Sequence, residues 1–251
     1  MRRGKLRGIL ILLLLLLFLS GLSILLFPHL WGAFVDHEIL VDAKEFLTRV
    51  EILPTEEPED LVIVDPPAPT EPPRQYPDLW EDMLTYNETI YAQGQSGLSC
   101  EYDYQKPSFY LTQYGLEDEV FGVISIPAME LKMPIYLGAT NQHMADGAAH
   151  LSQTSLPIGG KNTNCVIAGH RGWNGAAHFR YVPDLAKGDI VTIRNLWETL
   201  TYVVVETKII APNDVDAIHI QEGRELLTLL TCHPYASGGK QRFLVICERV
   251  Y

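Results

Sequence analysis

Residues 9–27 are an almost unbroken run of Leu, Ile and Phe, relieved only by Ser20, Gly21 and Ser23. Inside a bilayer the backbone N–H and C=O groups of such a run find no water, so the segment must satisfy them internally as a helix. At about 1.5 Å per residue it nearly spans a hydrocarbon core of roughly 30 Å. A cleaved signal peptide is the competing reading, but its apolar region is shorter and ends at a small-x-small site. Here Pro28-His29-Leu30-Trp31 follows, with Trp31 placed as an interfacial residue. We therefore expect an uncleaved transmembrane anchor at 9–27. Arg2, Arg3, Lys5 and Arg7 precede it, so residues 1–8 are read as a cytoplasmic basic tail and everything beyond about residue 30 as extracellular. No second apolar run of comparable length occurs, so the expectation is a single-pass protein of the cell membrane.

The charge balance narrows the partners. The net charge is -12 with 20% charged residues, which argues against nucleic acid because phosphate binding needs a basic face. The four cysteines, at 100, 165, 232 and 247, form no CxxC pair, and no His-x3-5-His pair accompanies them. No metal and no cofactor are expected. Cys165 and Cys247 sit in apolar runs and read as small core residues, Cys100 lies in a polar stretch, and scattered His143, His150, His178, His219 and His233 read as surface or satisfied core groups.

Between residues 33 and 52, Val35, Ile39, Ala43, Phe46, Leu47 and Val50 recur at three- and four-residue spacing, so 28–53 is read as a juxtamembrane helix. Residues 54–77 interleave eight prolines with Glu and Asp, a composition with few ladder donors and little apolar surface. That stretch reads as an extended spacer holding the remainder off the membrane. Residues 78–119 combine a second helix, carrying Leu79, Trp80, Met83, Leu84, Ile90 and Tyr91 on a helical period and stopped by Gly94 and Gly97, with a polar, aromatic loop of about 20 residues. From 120 to 251 the chain turns to short strands at 121–126, 133–137, 165–168, 190–194, 200–210, 226–231 and 242–247, separated by Gly, Pro and Asn. The fold class is mainly β, a barrel or sandwich with small helices in the connections, preceded by helical segments and one transmembrane helix.

Within that domain, Thr228-Leu229-Leu230-Thr231-Cys232 is an apolar run ending on a thiol, broken by Pro234 and resumed by Arg242-Phe243-Leu244-Val245-Ile246. Cys165-Val166-Ile167-Ala168-Gly169-His170 likewise ends on an imidazole. On these residues alone Cys232 is either a buried core thiol or a nucleophile placed at a strand end. Nucleophilic chemistry would need an imidazole to handle the thiol proton and a cation to hold a developing oxyanion, roles His170 and Arg242 are placed to fill. Trp173 either shapes a cleft beside His170 or packs locally.

The Thr-Leu-x-Thr-Cys motif at 228–232 resembles that of sortases, membrane-anchored transpeptidases of Gram-positive bacteria, with Arg242 where the family has its arginine. Ile126-Pro127, Met133-Pro134-Ile135-Tyr136-Leu137-Gly138, Gly147-Ala148-Ala149-His150-Leu151, Gly169-His170-Arg171-Gly172 and Lys187-Gly188-Asp189 look like successive signposts of class C, the pilin-polymerising sortases. The resemblance implies a closed sortase-type β-barrel over 120–251. It also implies that Cys232 attacks the Thr-Gly bond of an LPxTG-like sorting signal, that His170 protonates the departing amine, and that a pilin lysine or a peptidoglycan amine resolves the acyl-enzyme. Catalytic His170, Cys232 and Arg242 are the site it implies, with the backbone N–H of His233 meeting the oxyanion and Thr231 either contacting substrate or satisfying a strand end. Two departures stand out. Class C members usually carry an Asp-Pro-aromatic lid, whereas the corresponding loop reads Tyr102-Asp103-Tyr104-Gln105-Lys106-Pro107-Ser108-Phe109, and the C-terminal membrane span frequent in that class is missing. A sortase anchoring single proteins to the cell wall is the alternative, and a catalytically silent, membrane-tethered scaffold is the alternative from another class.

Overall fold

Eight strands close into a barrel because each supplies an apolar face and none is left to form an exposed edge. The computed structural model describes residues 2–52, 74–98 and 105–251. The strands are β1 (Val120–Ile126), β2 (Leu131–Leu137), β3 (Ala148–His150), β4 (Thr163–Ala168), β5 (Ile190–Asn195), β6 (Thr199–Ile210), β7 (Glu225–His233) and β8 (Gln241–Val250). Around the barrel they run β1-β2-β3-β4-β7-β8-β6-β5. Two of the contacts are parallel, β2 with β3 and β4 with β7, and the others are antiparallel. The interior is filled by side chains such as Ile124, Ile167, Ile193, Leu227, Leu229 and Val245. β4 is buried on both faces, which is why it reads as a continuous apolar run; β6 alternates buried and half-exposed residues, as a strand with one solvated face does. All seven strand segments read from the sequence are present. The eighth, β3, is three residues long, too short to leave a period.

Two helices brace this barrel. α1 is one helix over Arg2–Ile52, running through Pro28. Proline removes one ladder donor, yet the helix continues because both flanks have independent reasons to be helical: an apolar run before it, and barrel packing after it. Ile39, Ala43, Phe46 and Val50 are buried at spacings of four, three and four, one stripe laid against β1 and β2. Arg49 adds a two-pronged ion pair to Asp118 just ahead of β1, at 2.5 and 3.1 Å. The apolar part of α1 is long enough for a single-pass anchor.

α2 (Pro77–Ala92) buries Leu79, Met83, Asn87 and Ile90. The Asn87 side-chain oxygen accepts the Leu156 N–H at 2.7 Å, and Trp80 meets Trp197 edge-on at 4.9 Å. The helix before the proline-rich stretch and the helix after it therefore both lie against the barrel. Gly32 already touches the barrel domain, through Gly175, only five residues past Phe27, about 7.5 Å of helix rise. Helix α1, and not a spacer at 54–77, sets the distance between the barrel and the end of the apolar run. Most of that stretch lies outside the described residues.

His150, on β3, is fully buried, its Nε2 donating to the Ser155 carbonyl at 3.0 Å. Burial pushes its pKa down from 6.5 to about 4. The folded state thus favours the neutral ring, and its stabilising contribution, present above pH 6.5, is lost as pH falls through about 4. A shift of that size corresponds to roughly 3 kcal/mol. Denaturant unfolding of the full chain should show a loss of that order between pH 7 and pH 4, and His150→Gln should flatten that part of the profile.

Candidate active site

The register of three adjacent strands brings the chemistry together. β7 and β8 pair antiparallel with Cys232 directly opposite Arg242. β4 and β7 pair parallel with Ala168 opposite Leu230, and the Gly169 N–H continues the ladder to the Leu230 carbonyl at 3.1 Å. Extending that register by two residues sets His170 alongside Cys232. Because successive side chains alternate between faces, Ala168 and His170 share one face of β4, and Leu230 and Cys232 share one face of β7. That face is the outer wall of the barrel.

A cleft of about 250 Å³ lies on it, lined by Ala168, His170, Leu230 and Arg242. Leu151, Val166, Ile210, Ile218 and Leu244 form its apolar backing, with Leu230 packed against them. Gln105, Asn141 and Asp214 bring polar groups to the same cleft. Asn141 opens α3 (Asn141–Asp146), whose first turn is capped by Thr140 accepting the His143 N–H at 3.1 Å. Residues 102–104 of the lid-like loop lie outside the described residues. The part that follows is tethered: Ser152 donates its hydroxyl to the Lys106 carbonyl, and Ser108 bonds the Tyr86 hydroxyl at 3.2 Å.

Each side chain of the row has a distinct environment. Cys232 is half-buried and carries a free thiol, as are the thiols of Cys165 and Cys247, which burial pushes up, Cys247 to about 12. Cys100 lies outside the described residues. Arg242 donates from Nη1 to the Gly239 carbonyl at 2.6 Å, folding the loop back beside the thiol. A β-carbon at Gly239 would lie 3.5 Å from Cys232 Sγ and 2.9 Å from Arg242 Nη1, and Gly239 has φ +77°. Glycine is needed there for the conformation and for the space. His170 stacks face to face on Trp173, 4.4 Å between centroids at 12°, and meets His178 edge-on at 6.2 Å. Burial and then the neighbouring His178 hold its pKa below the usual 6.5, so the ring is neutral at pH 7.

Thr231 and His233 are placed differently from the row. Thr231 is 1% exposed and, by alternation, lies on the opposite face of β7 from Cys232; its hydroxyl donates to the Gly169 carbonyl at 2.8 Å. It ties β7 to the residue before His170 and does not reach the cleft wall. The His233 ring lies 5.6 Å from Phe243, and its Nδ1 is 2.8 Å from Arg171 Nη1. A guanidinium only donates, so Nδ1 is the accepting atom of that contact.

Sequence reasoning left the Trp173–Ala176 hairpin unread. Trp173 and Ala176 exchange backbone hydrogen bonds of 3.1 and 2.8 Å around Asn174 (φ 47°) and Gly175 (φ 90°). An Asn-Gly pair is the usual signal for such a two-residue turn and was available in the sequence.

Thr231→Val should lower stability by about 1–3 kcal/mol in denaturant unfolding, because the Gly169 carbonyl loses a buried donor of similar shape. Thr231→Ser should restore it, and Cys232 should remain open to alkylation in both.

Comparison with known proteins agrees with the geometry. The chain is 30% identical over 131 residues to sortase D of Bacillus subtilis (strain 168), covering 51% of this chain and 63% of that relative, less than two thirds of its length. Sortase C1 of group B Streptococcus pilus island 1 superposes with a TM-score of 0.64 at 29% identity, over 70% of this chain and 89% of that one. Clostridium perfringens sortase C, solved with the C-terminal cell wall sorting motif, superposes with a TM-score of 0.64 at 27% identity, over 84% of this chain and 99% of that one. The family profile described as the sortase domain matches residues 124–250. That match begins inside β1 and ends with the last residue of β8, taking in the row of thiol, imidazole and guanidinium, and the chain belongs to the sortase family.

Proposed function

We propose that this sortase is a single-pass membrane transpeptidase, amino terminus in the cytoplasm and barrel outside, that joins LPxTG-like sorting signals to a pilin lysine. The observation that carries the chemistry is the register: Cys232 directly opposite Arg242 on β8 and His170 beside it from β4, with His170 and Arg242 lining one apolar-backed cleft. The neutral His170 ring takes the thiol proton as Cys232 Sγ attacks the threonine carbonyl carbon. The oxyanion is met by the Arg242 guanidinium and the His233 backbone N–H. The C–N bond then breaks, His170 returns the proton to the leaving glycine amine, and a thioester remains on Cys232. An acceptor amine attacks the thioester, gives up its proton to His170, and the new amide leaves as the thiol is re-formed.

The apolar backing from Leu151, Ile218 and Leu244 suits the Leu-Pro part of a sorting signal. The Clostridium perfringens neighbour, solved with a sorting motif, supports that substrate class, and the pilus-island neighbour supports a pilin acceptor. Anchoring of single proteins to peptidoglycan is the second reading. It is favoured by residues 102–109, which lack the Asp-Pro-aromatic tripeptide of class C lids.

Cys232→Ala and His170→Ala should abolish cleavage of an LPxTG peptide, and Arg242→Ala should slow it about 100- to 1000-fold, the usual cost of an oxyanion donor. Normal turnover in Cys232→Ala would sink the mechanism, and a thiol deaf to alkylation at neutral pH would favour a silent scaffold. With a lysine-bearing pilin as acceptor the product should be a ladder of covalent polymers; reaction with a peptidoglycan amine alone would establish the anchoring reading instead. Protease added to protoplasts should remove the barrel, whereas full protection would reverse the topology.

A further inference from the structure

The loop that follows His170 rests on α1, at its first turns beyond the apolar run. A β-carbon at Gly32 would lie 2.5 Å from the Gly175 carbonyl carbon. One at Gly175 would lie 3.0 Å from Gly32 Cα and also strike the Pro28 carbonyl oxygen. Helix and turn therefore meet backbone to backbone, a contact that only a pair of glycines permits. One helical turn further on, Asp36 accepts the Ala177 N–H from its Oδ1 at 3.1 Å, although Asp36 itself is exposed. The first attachment falls in the Asn174-Gly175 turn and the second just beyond Ala176, and Trp173, which pairs with Ala176 across that turn, carries the indole stacked on His170.

We propose that Pro28, Gly32 and Asp36 of α1 position His170 for the sortase reaction: α1 is the seat of hairpin 173–176, and the seated hairpin holds Trp173 against the imidazole. Gly32, Asp36 and Gly175 are positioning residues, acting through Trp173. The tether has a mechanical reason. The tip of the hairpin is exposed, with Trp173 at 40% and Asn174 and Gly175 also exposed, while Ala176 and His178 behind it are buried, so the tip itself has little core of its own. Without the helix, few contacts would fix the plane of the indole. His170 is in turn held by its backbone, through the Phe179 N–H donating to its carbonyl at 2.9 Å, so its ring orientation depends on what stacks against it. A displacement of about 1 Å in a reacting group is enough to cost on the order of 100-fold in rate. The same helix continues into the apolar run, so the part of the chain that enters the membrane also orients the general base.

The inference rests on the sortase reading for its rate measurement but not for its titration measurement. The full chain is prepared in nanodiscs as wild type, Gly32→Ala, Gly32→Leu, Asp36→Ala, Asp36→Asn and Trp173→Ala. Alanine and leucine favour helix over glycine, so neither Gly32 variant weakens α1 itself. Both should nevertheless lower kcat for cleavage of an LPxTG peptide, Gly32→Leu by tenfold or more, with KM little changed because the apolar backing of the cleft is untouched. The His170 imidazole, followed by NMR titration, should move up towards its ordinary value in Gly32→Leu and in Trp173→Ala as water reaches the ring. Asp36→Ala should show a smaller loss of kcat, and Asp36→Asn, which keeps the acceptor oxygen, should recover it. Unchanged kcat and unchanged His170 titration in folded Gly32→Leu overturn the proposal, as does a loss in Asp36→Asn equal to that in Asp36→Ala. If the wild type leaves the peptide uncut, the sortase-type reading fails on its own, and the His170 titration across the same variants still decides the coupling.

Discussion

The parallel pairing of β4 with β7 is the contact on which the site depends. Parallel neighbours run in the same direction, so two strands that end together present their last residues side by side at one rim. Here that rim holds His170 from one strand and Cys232 from the other, and antiparallel β8 returns to place Arg242 across from the thiol. A slip of one residue between β4 and β7 would turn the imidazole to the barrel interior while leaving the thiol outside. The register is correspondingly well held. Thr231 ties to Gly169 at the rim, and lower down Thr228 donates to the Asn164 side chain at 2.8 Å, itself bonded to the Ile218 carbonyl at 3.0 Å. The two threonines of the Thr-Leu-x-Thr-Cys run thus pin β7 from both faces, Thr231 from the face opposite Cys232 and Thr228 from the same face as Cys232 lower on the strand.

That division explains which parts of the site could be read from the chain. Cys232, His170 and Arg242 each close or open a β-rich apolar run, and the chemistry of a thiol, an imidazole and a guanidinium is visible in residue type. The strands carrying them are long enough to show their period. What residue type does not carry is the face on which a residue lands. Thr231 adjoins Cys232 in sequence and reads either as a substrate contact or as a residue that satisfies a strand end, and alternation sends its hydroxyl away from Cys232 and onto the Gly169 carbonyl. Trp173 had two open readings, and only the turn at Asn174-Gly175 decides that its indole folds back onto His170. β3 escaped notice because three residues contain no repeat, and its single buried histidine is explained by two carbonyls of residues 154 and 155 that no spacing rule would pair with it.

The N-terminal segments show a different limit. Apolar spacing in residues 33–52 gives the correct stripe of Ile39, Ala43, Phe46 and Val50, but a stripe names a face without naming its partner. Composition alone makes that segment a juxtamembrane helix and the proline-rich stretch the spacer that holds the remainder off the membrane. The packing reverses it: the stripe is covered by β1 and β2, and Arg49 is paired to Asp118 at the entrance to the barrel. Pro28 sits between two segments each held helical by its own surroundings, and the loss of one hydrogen bond is small beside either.

With the barrel seated this early on α1, the height of the cleft is governed by helix geometry instead of by linker statistics. A flexible tether would let the active site explore a range of distances that grows with the square root of its length. A helix fixes the distance to within the bending of one or two turns. Under the function proposed above, substrates whose reacting segment also emerges from a membrane-spanning helix would meet such a site at a defined number of residues from the bilayer, and reach along the substrate would act as a selection rule alongside the sorting motif. The glycine contact between residues 32 and 175 links distance to geometry, because the helix residues just beyond the apolar run are the ones against which the loop following His170 is folded.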